Sequence, residues 1–317
     1  MRALVTGGAG FIGSHLVDGL LARGDDVVVL DNLATGRVEN VPDDAAFIEG
    51  DVTDEAAVTR AVSGCEVVYH QAALGSVARS IDQPLNSDST NVHGTLTVLH
   101  SAHRAGVRRV VLASSSSVYG GATEVPTPES APLIPHSPYA VTKLTGEHYA
   151  RLFWELHGLE TVCLRYFNVY GPRQRPDSEY AAVIPLFIDA LLTGATPIVH
   201  GDGLQSRDFT YVADTVQANV CAAAAPAERC AGHAYNIAGG HPASLRELLA
   251  ILTAELGVSV TPRHGDPRPG DVRHSHADVS AARRDLGHEA VVPFREGLAR
   301  TLAWFGARAP ATQEGLR

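Results

Sequence analysis

The chain has 317 residues, 45% hydrophobic and 19% charged, which is ordinary globular usage and allows one large or two modest domains. A formal net charge of −10 leaves no global positive field, which argues against nucleic acid as the main partner, so an anionic ligand must meet a local cluster of cations. No apolar run reaches the ~18 residues of a membrane span, and Met1-Arg2 leads straight into Ala3-Leu4-Val5 without a signal-peptide pattern, so a soluble, cytoplasmic protein is expected.

Ala3 to Thr6 is a short strand that breaks into Gly7-Gly8-Ala9-Gly10-Phe11-Ile12-Gly13, after which Leu16, Leu20 and Leu21 recur at helical spacing. Val27 to Leu30 is a continuous apolar run ending at Asp31, the form of a parallel strand covered on both faces. The rhythm repeats at Ala46-Phe47-Ile48 ending at Asp51, at Glu66 to Tyr69, at Arg109 to Leu112 ending in serines, and at Thr161 to Leu164. Helical stretches lie between, notably Asn86 to Ala105 and Pro138 to His157. Strands alternating with helices predict an α/β fold, a doubly wound parallel sheet of Rossmann type.

From about Tyr170 the rhythm changes, with loops at 171–176 and 200–207. The expected division is a dinucleotide-binding domain of residues 1–169 plus about 207–235, and a smaller α/β substrate-binding domain of about 170–206 plus 236–317. Cys65, Cys163, Cys221 and Cys230 sit among apolar residues and read as reduced core positions. His274 and His276, near His264, Asp266 and Asp271, have spacing compatible with a metal, but no metal is expected.

Gly7, Gly10 and Gly13 lie directly after a strand and open a helix. Without Cβ atoms the turn is tight, a pyrophosphate can approach the backbone, and the helix N-terminus supplies N–H groups and positive dipole. Asp31 ends the next strand 18 positions after Gly13, where its carboxylate would accept from an adenosine ribose and repel a 2′-phosphate, favouring NAD over NADP.

Ser137-Pro138-Tyr139-Ala140-Val141-Thr142-Lys143 opens a helix, with Ser137 as N-cap and Pro138 in the first turn. Of the 25 basic residues Lys143 is the only lysine; the rest are arginine, which cannot replace a compact ammonium on a flexible stem. Tyr139 and Lys143 are four apart and share a face. The ammonium is therefore expected to favour the phenolate by Coulomb attraction and make Tyr139 a usable base. Ser114 to Ser117 place hydroxyls at the carboxyl edge of the sheet.

These residues, with Asp31-Asn32-Leu33, Gly50-Asp51-Val52, His70 to Ala73, Leu164 to Asn168, Arg207-Asp208-Phe209 and Arg268 to Asp271, resemble the extended short-chain dehydrogenase/reductase family, and within it the UDP-sugar 4-epimerases, over nearly the whole chain. The resemblance implies a catalytic triad of Ser115, Tyr139 and Lys143. It implies NAD along Gly7, Gly10, Phe11, Ile12, Gly13, Asp31, Asn32, Gly36, Asp51, Val52, Ala72, Ala73, Asn91, Ser114, Tyr139, Lys143 and Tyr166. The nucleotide sugar would meet Ser76, Arg79, Ser115, Ser116, Tyr139, Asn168, Ala182, Val183, Arg207, Arg268, Asp271 and Ser275. The diphosphate would fall to Asn168, Arg207 and Arg268, and the uridine ribose to Asp271.

The implied reaction is C4 epimerisation of a UDP-sugar through a transient 4-keto sugar. Relatives that dehydrate or decarboxylate carry an acid just after the triad hydroxyl, where this chain has Ser116 and Ser117. Ser275 stands where epimerases restricted to plain hexoses place a bulky tyrosine, leaving volume for an N-acetyl group. The segment Gly171 to Pro176 also resembles UDP-glucuronate 4-epimerases, in which a loop arginine meets the sugar carboxylate, and that substrate stays open as the alternative. A UDP-glucuronate decarboxylase and a non-catalytic NAD-binding sensor are the rival classes. Members of the family commonly dimerise through paired helices, and Leu96, Leu99, Leu152 and Trp154 are possible contacts of a homodimer, with burial inside the monomer as the alternative for these residues.

Overall fold

The computed structural model describes residues 1–121, 124–178, 181–266 and 272–308. Arg268 and Asp271 lie outside the described residues.

Seven parallel strands form the central sheet, in the spatial order His233–Ile237, Glu160–Tyr166, Arg109–Ser115, Val67–His70, Arg2–Thr6, Asp26–Asp31, Ala46–Glu49. Their apolar runs are continuous because both faces are covered. Ala3 and Val5 face Leu16, Val17 and Leu20 of helix Phe11–Ala22 and Ala218 and Ala222 of helix Val212–Ala224. Leu4, between them, faces the opposite core with Val58, Val62, Val98, Leu99 and Phe153, as the two-residue period of a strand requires. The order reverses at strand Arg2–Thr6, whose neighbours are Asp26–Asp31 on one side and Val67–His70 on the other. That reversal opens a crevice at the carboxyl ends of the strands.

A second apolar cluster joins helices Val183–Thr193, Leu245–Leu256 and Phe294–Gly306 through Ile184, Ile188, Leu248, Leu252, Leu298 and Phe305. Short strands Ile198–His200 and Arg263–Gly265 pair beside it, and Ser206–Asp208 pairs with Pro242–Ser244. The doubly wound α/β expectation holds. The four cysteines are free, three of them buried and Cys221 half-buried. Among the described residues, no helix is long and apolar enough to cross a membrane.

Two expectations need correction. The predicted helix from Asn86 to Ala105 is divided into Pro84–Asp88, a wide π turn at Ser89–His93, and Gly94–Arg104. The local sequence is helical throughout, but Asn91 inside the π turn spends its side chain on the backbone of Leu74, and a Cβ on Gly94 would stand 2.6 Å from Val52 Cγ2. Leu99 is also no interface residue. It is fully buried within the chain, Leu96 packs on the same core, and Trp154 lies against Gly232, which leaves Leu152 the exposed member of the four, at 38%.

Arg109 carries much of the docking of helix Val212–Ala224. Its guanidinium is 1% exposed and donates from Nη1 to the carbonyls of Ala222, Ala223 and Ala225 while pairing with Glu160. It thereby satisfies carbonyls that the helix end leaves without partners. Arg109→Met keeps an apolar stem but leaves these acceptors unpaired, so a loss of about 3 kcal/mol is expected in urea unfolding. A loss below about 1 kcal/mol would contradict this role.

Candidate active site

The turn after the first strand has no room for side chains. A Cβ on Gly7, at φ +70°, would lie 2.7 Å from the amide nitrogen of Ala72, and one on Gly13 would lie 2.1 Å from the Gly7 carbonyl oxygen. Helix Phe11–Ala22 then starts at Gly10 without a side-chain cap, so the amides of its first turn point into the crevice with no side-chain acceptor of their own. Phe11 and Ile12 form that turn. This donor set and the tight cradle fit a dinucleotide pyrophosphate.

Asp31 is buried where the second strand ends, accepting from the amides of Ala9 (2.9 Å) and Leu33 (2.8 Å). It ties the glycine turn to the loop that carries Asn32 and Gly36. Asn32 donates to Asp51 (2.6 Å), and Gly36 packs on Ala9, whose carbonyl accepts from Arg37. Burial raises the Asp51 carboxyl, but the amide and hydroxyl of Thr53 and the amide of Asn32 outweigh it and hold the group below its usual range. Val52 is buried beside it, against Gly94. Ala72 and Ala73 follow the fourth strand, and Thr6 Oγ1 accepts from the Ala72 amide. Beneath them the imidazole of His70, between Thr6 and Thr95, is pushed down to about 3 by burial and by the Lys143 ammonium.

Helix Pro138–His157 starts as its sequence predicts, Ser137 Oγ accepting from the Ala140 amide. A second serine, the fully buried Ser80, to which the sequence assigns no role, accepts from the amide of Tyr139 (3.0 Å). Ser115, at the end of strand Arg109–Ser115, hydrogen-bonds the Tyr139 phenol and also accepts from the amide of Ser117. Lys143 is buried, donates to the carbonyl of Ala113 (2.7 Å), and stands 5.9 Å from the centroid of the Tyr139 ring. Ser115, Tyr139 and Lys143 therefore converge.

Their electrostatics differ from expectation. Burial raises the Tyr139 phenol above its usual value, with the Ser115 hydrogen bond acting in the opposite direction. Burial also brings Lys143 down to about 8, against the pull of Cys163 and Glu147. In the chain alone desolvation outweighs the Ser115 hydrogen bond, so the phenol is not acidified.

Ser114 is one residue away, but its hydroxyl is taken by Glu147 (2.5 Å). Glu147 also receives Arg165 through both carboxylate oxygens, at 2.9 and 2.7 Å. It was missed in the sequence, although Tyr139, Lys143 and Glu147 follow one another at intervals of four on one helix face. The Tyr166 hydroxyl is likewise engaged, with Gln71 and Asn219, and burial pushes it up to about 12, which leaves its ring to line the crevice. Asn91 holds Leu74 on both sides and donates to Thr142, so its side chain braces the loop before Ser76.

The remaining predicted residues come from loops, short strands and helix starts. Ser76 caps helix Val77–Asp82 by accepting from the amide of Arg79 (3.2 Å), and Ser116 opens the short turn Ser116–Tyr119. Asn168, at φ +37°, donates to the carbonyl of Asp208. Arg207 and Ser275 lie on paired segments, the Ser275 amide donating to the carbonyl of Ser206. Ala182 and Val183 open helix Val183–Thr193, which has no side-chain cap. In the loop after Tyr170, Arg173 pairs with Asp18 (2.8 Å), and Arg175 and Arg37 both pair with Asp177.

A profile described as the NAD dependent epimerase/dehydratase family matches residues 3–238. The chain is 42% identical over 313 residues to a UDP-glucose 4-epimerase of Mycolicibacterium smegmatis, covering 96% of this chain and 98% of that protein. Among solved structures it resembles the UDP-glucose 4-epimerase of Thermotoga maritima with UDP-glucose (TM-score 0.94, 38% identity, 98% and 100% coverage). It also resembles the UDP-N-acetylglucosamine 4-epimerase of Methanobrevibacter ruminantium in complex with UDP-N-acetylmuramic acid (TM-score 0.91, 38% identity, 97% and 98% coverage). Proteins named dTDP-glucose 4,6-dehydratase and UDP-N-acetyl-alpha-D-glucosaminuronate decarboxylase match 96% of the chain at 36% and 34% identity.

Because Lys143 is the only lysine and its amine sits near 8, acetylation of this side chain should accelerate as pH rises through that value and exposes the neutral amine. The N-terminal amine, paired with Asp25, is the only other amine target. Saturating NAD should protect Lys143 and not Met1, which peptide mass spectrometry resolves; equal labelling with and without NAD would remove Lys143 from the cofactor site.

Proposed function

The chain belongs to the NAD dependent epimerase/dehydratase family, and on that premise we propose that it is a UDP-sugar 4-epimerase acting on neutral hexoses, UDP-glucose and UDP-N-acetylglucosamine among them. The observation that carries this reading is the convergence of Ser115, Tyr139 and Lys143 at the carboxyl edge of the sheet, followed by Ser116 and Ser117 and no acid. Elimination of water or loss of CO₂ calls for a further group at that place.

Tyr139, as phenolate, would remove the proton from the sugar C4 hydroxyl and return it after the ring has turned over. Ser115 would hold the same oxygen, and Lys143 the nicotinamide ribose. NAD would supply acceptance and return of the C4 hydride and the positive charge of its oxidised ring. That added charge and Lys143 would together bring the buried phenol into a working range. The uncapped first turn of helix Phe11–Ala22 would take the pyrophosphate, and Asp31 the adenosine ribose, each oxygen having lone pairs beyond its backbone bond. Asn168, Arg207 and Arg268 would hold the substrate diphosphate, Asp271 its ribose, and Ser275 would leave space at the hexose.

The ion pairs in the loop favour a neutral sugar over a uronate. Arg173 is spent on Asp18 and Arg175 on Asp177, so neither is the uncommitted cation that a sugar carboxylate needs. We further propose a homodimer, formed where the exposed side chains of Ile81, Leu85, Leu152 and Leu156 border helix Pro138–His157.

Incubation with UDP-glucose, UDP-N-acetylglucosamine and UDP-glucuronate, with the products resolved by chromatography, tests the reading. Equilibrium C4-epimer mixtures of the neutral sugars are expected; a UDP-pentose would make the protein a decarboxylase, and unchanged sugars would leave only a binding protein. Tyr139→Phe should lower kcat by about 10²–10⁴-fold with NAD still bound. Activity within about threefold of wild type would remove the base assignment.

A further inference from the structure

Asp208 is fully buried and follows Arg207 in the chain, and among the described residues no lysine or arginine is ion-paired with its carboxylate. One carboxylate oxygen accepts from the amide of Gly240 (2.9 Å) and the other from the amide of Ala277 (3.1 Å). Its own carbonyl accepts from the side chain of Asn168 (3.2 Å). Four stretches that are distant in sequence therefore meet on one residue: 168, 206–208, 239–240 and 275–277.

These stretches are otherwise joined by short, edge-like pairings. Strand Ser206–Asp208 has three residues and pairs with Pro242–Ser244; Ser206 exchanges backbone bonds with Arg273 and Ser275, and His274 meets Ser206 as an isolated bridge. A three-residue pairing holds its register weakly, and a charged acceptor shared by two amides fixes it far better. The carboxylate stays an acceptor on both oxygens only while ionised. Burial opposes that state and raises the carboxyl above its usual range, while the Ala277 and Gly240 amides and the nearby His276 and His241 act against the rise.

We propose that Asp208 is a positioning residue for the nucleotide sugar: it sets Arg207, Asn168 and Ser275 at one spacing across three separate segments, without touching substrate itself. This rests on the reading that Arg207 and Ser275 meet the nucleotide sugar. It predicts an effect confined to the substrate side of the crevice, since the glycine turn, Asp31 and Lys143 have no bond to Asp208.

The test compares Asp208→Asn, Asp208→Glu and Arg207→Ala in steady-state epimerisation of UDP-glucose, with NAD affinity measured by fluorescence. Asparagine turns an N–H toward one of the two amides, and glutamate moves the carboxylate by one methylene. Either should raise KM about tenfold or more while kcat stays within about threefold and NAD affinity is unchanged. A purely structural residue would lower the unfolding midpoint without this split. An unchanged KM beside a raised KM in Arg207→Ala overturns the positioning role alone, whereas an unchanged KM in Arg207→Ala overturns the substrate reading beneath it. If neither Asp208 variant folds, hydrogen exchange on the wild type decides: adding UDP should slow the Gly240 and Ala277 amides, and no change with UDP overturns the proposal.

Discussion

The site depends on one buried ion pair, Glu147 with Arg165. Both side chains are almost fully buried, and two charges taken out of water are tolerated only when every remaining lone pair and proton is satisfied. Here they are well provided. Glu147 receives two bonds from Arg165 and one from Ser114, and Arg165 also reaches the Tyr119 hydroxyl and the Glu129 carbonyl. The pair pins helix Pro138–His157 to strands Arg109–Ser115 and Glu160–Tyr166 at a single register. That register brings Lys143 to the carbonyl of Ala113 and Tyr139 to Ser115. A shift of one residue would turn both away from the sheet edge.

A second constraint comes from chain topology. The reversal of strand order beside Arg2–Thr6 places the glycine turn, the end of the Asp31 strand and the Ala72 backbone around one crevice. The loop after Tyr170 lies against helix Phe11–Ala22 and the loop that carries Arg37. It is fixed there by the Pro172 carbonyl on His15 and by the pairs of Arg173 with Asp18 and Arg37 with Asp177. Cofactor and substrate sides thus share a rim, and the arginines that look free in the sequence are the rim's fastenings.

What the sequence reveals and what it hides follow from the range of the forces involved. The alternation of apolar runs and helical spacings, the glycine turn and the Ser137 cap are local, and each appears in the structure where its residues predict it. Asn91 shows the opposite case: its stretch has ordinary helical spacing, yet it lies in a π turn from which its side chain bonds Leu74, 17 residues upstream. Leu99 reads as a surface apolar residue until the opposing core is present. The ionisation of Tyr139 in the chain alone departs from the sequence expectation for a related reason. Residue spacing gives the distance to Lys143, but the depth of burial, which decides the sign of the shift in the chain alone, is a property of the whole fold. Asp208 stands out in the sequence only as part of Arg207-Asp208-Phe209, and its bonding role is hidden for the same cause, its partners being the amides of Gly240 and Ala277.

The central claim is that the Tyr139 phenol, raised by burial in the chain alone, is brought down by Lys143 and the bound cofactor together. Ultraviolet difference titration of the NAD-loaded protein, wild type minus Tyr139→Phe, isolates this one phenolate. The account predicts an ionisation well below the ordinary value of about 10, and its return above that value in Lys143→Met. A Tyr139 that titrates at or above about 10 with NAD in place would contradict it.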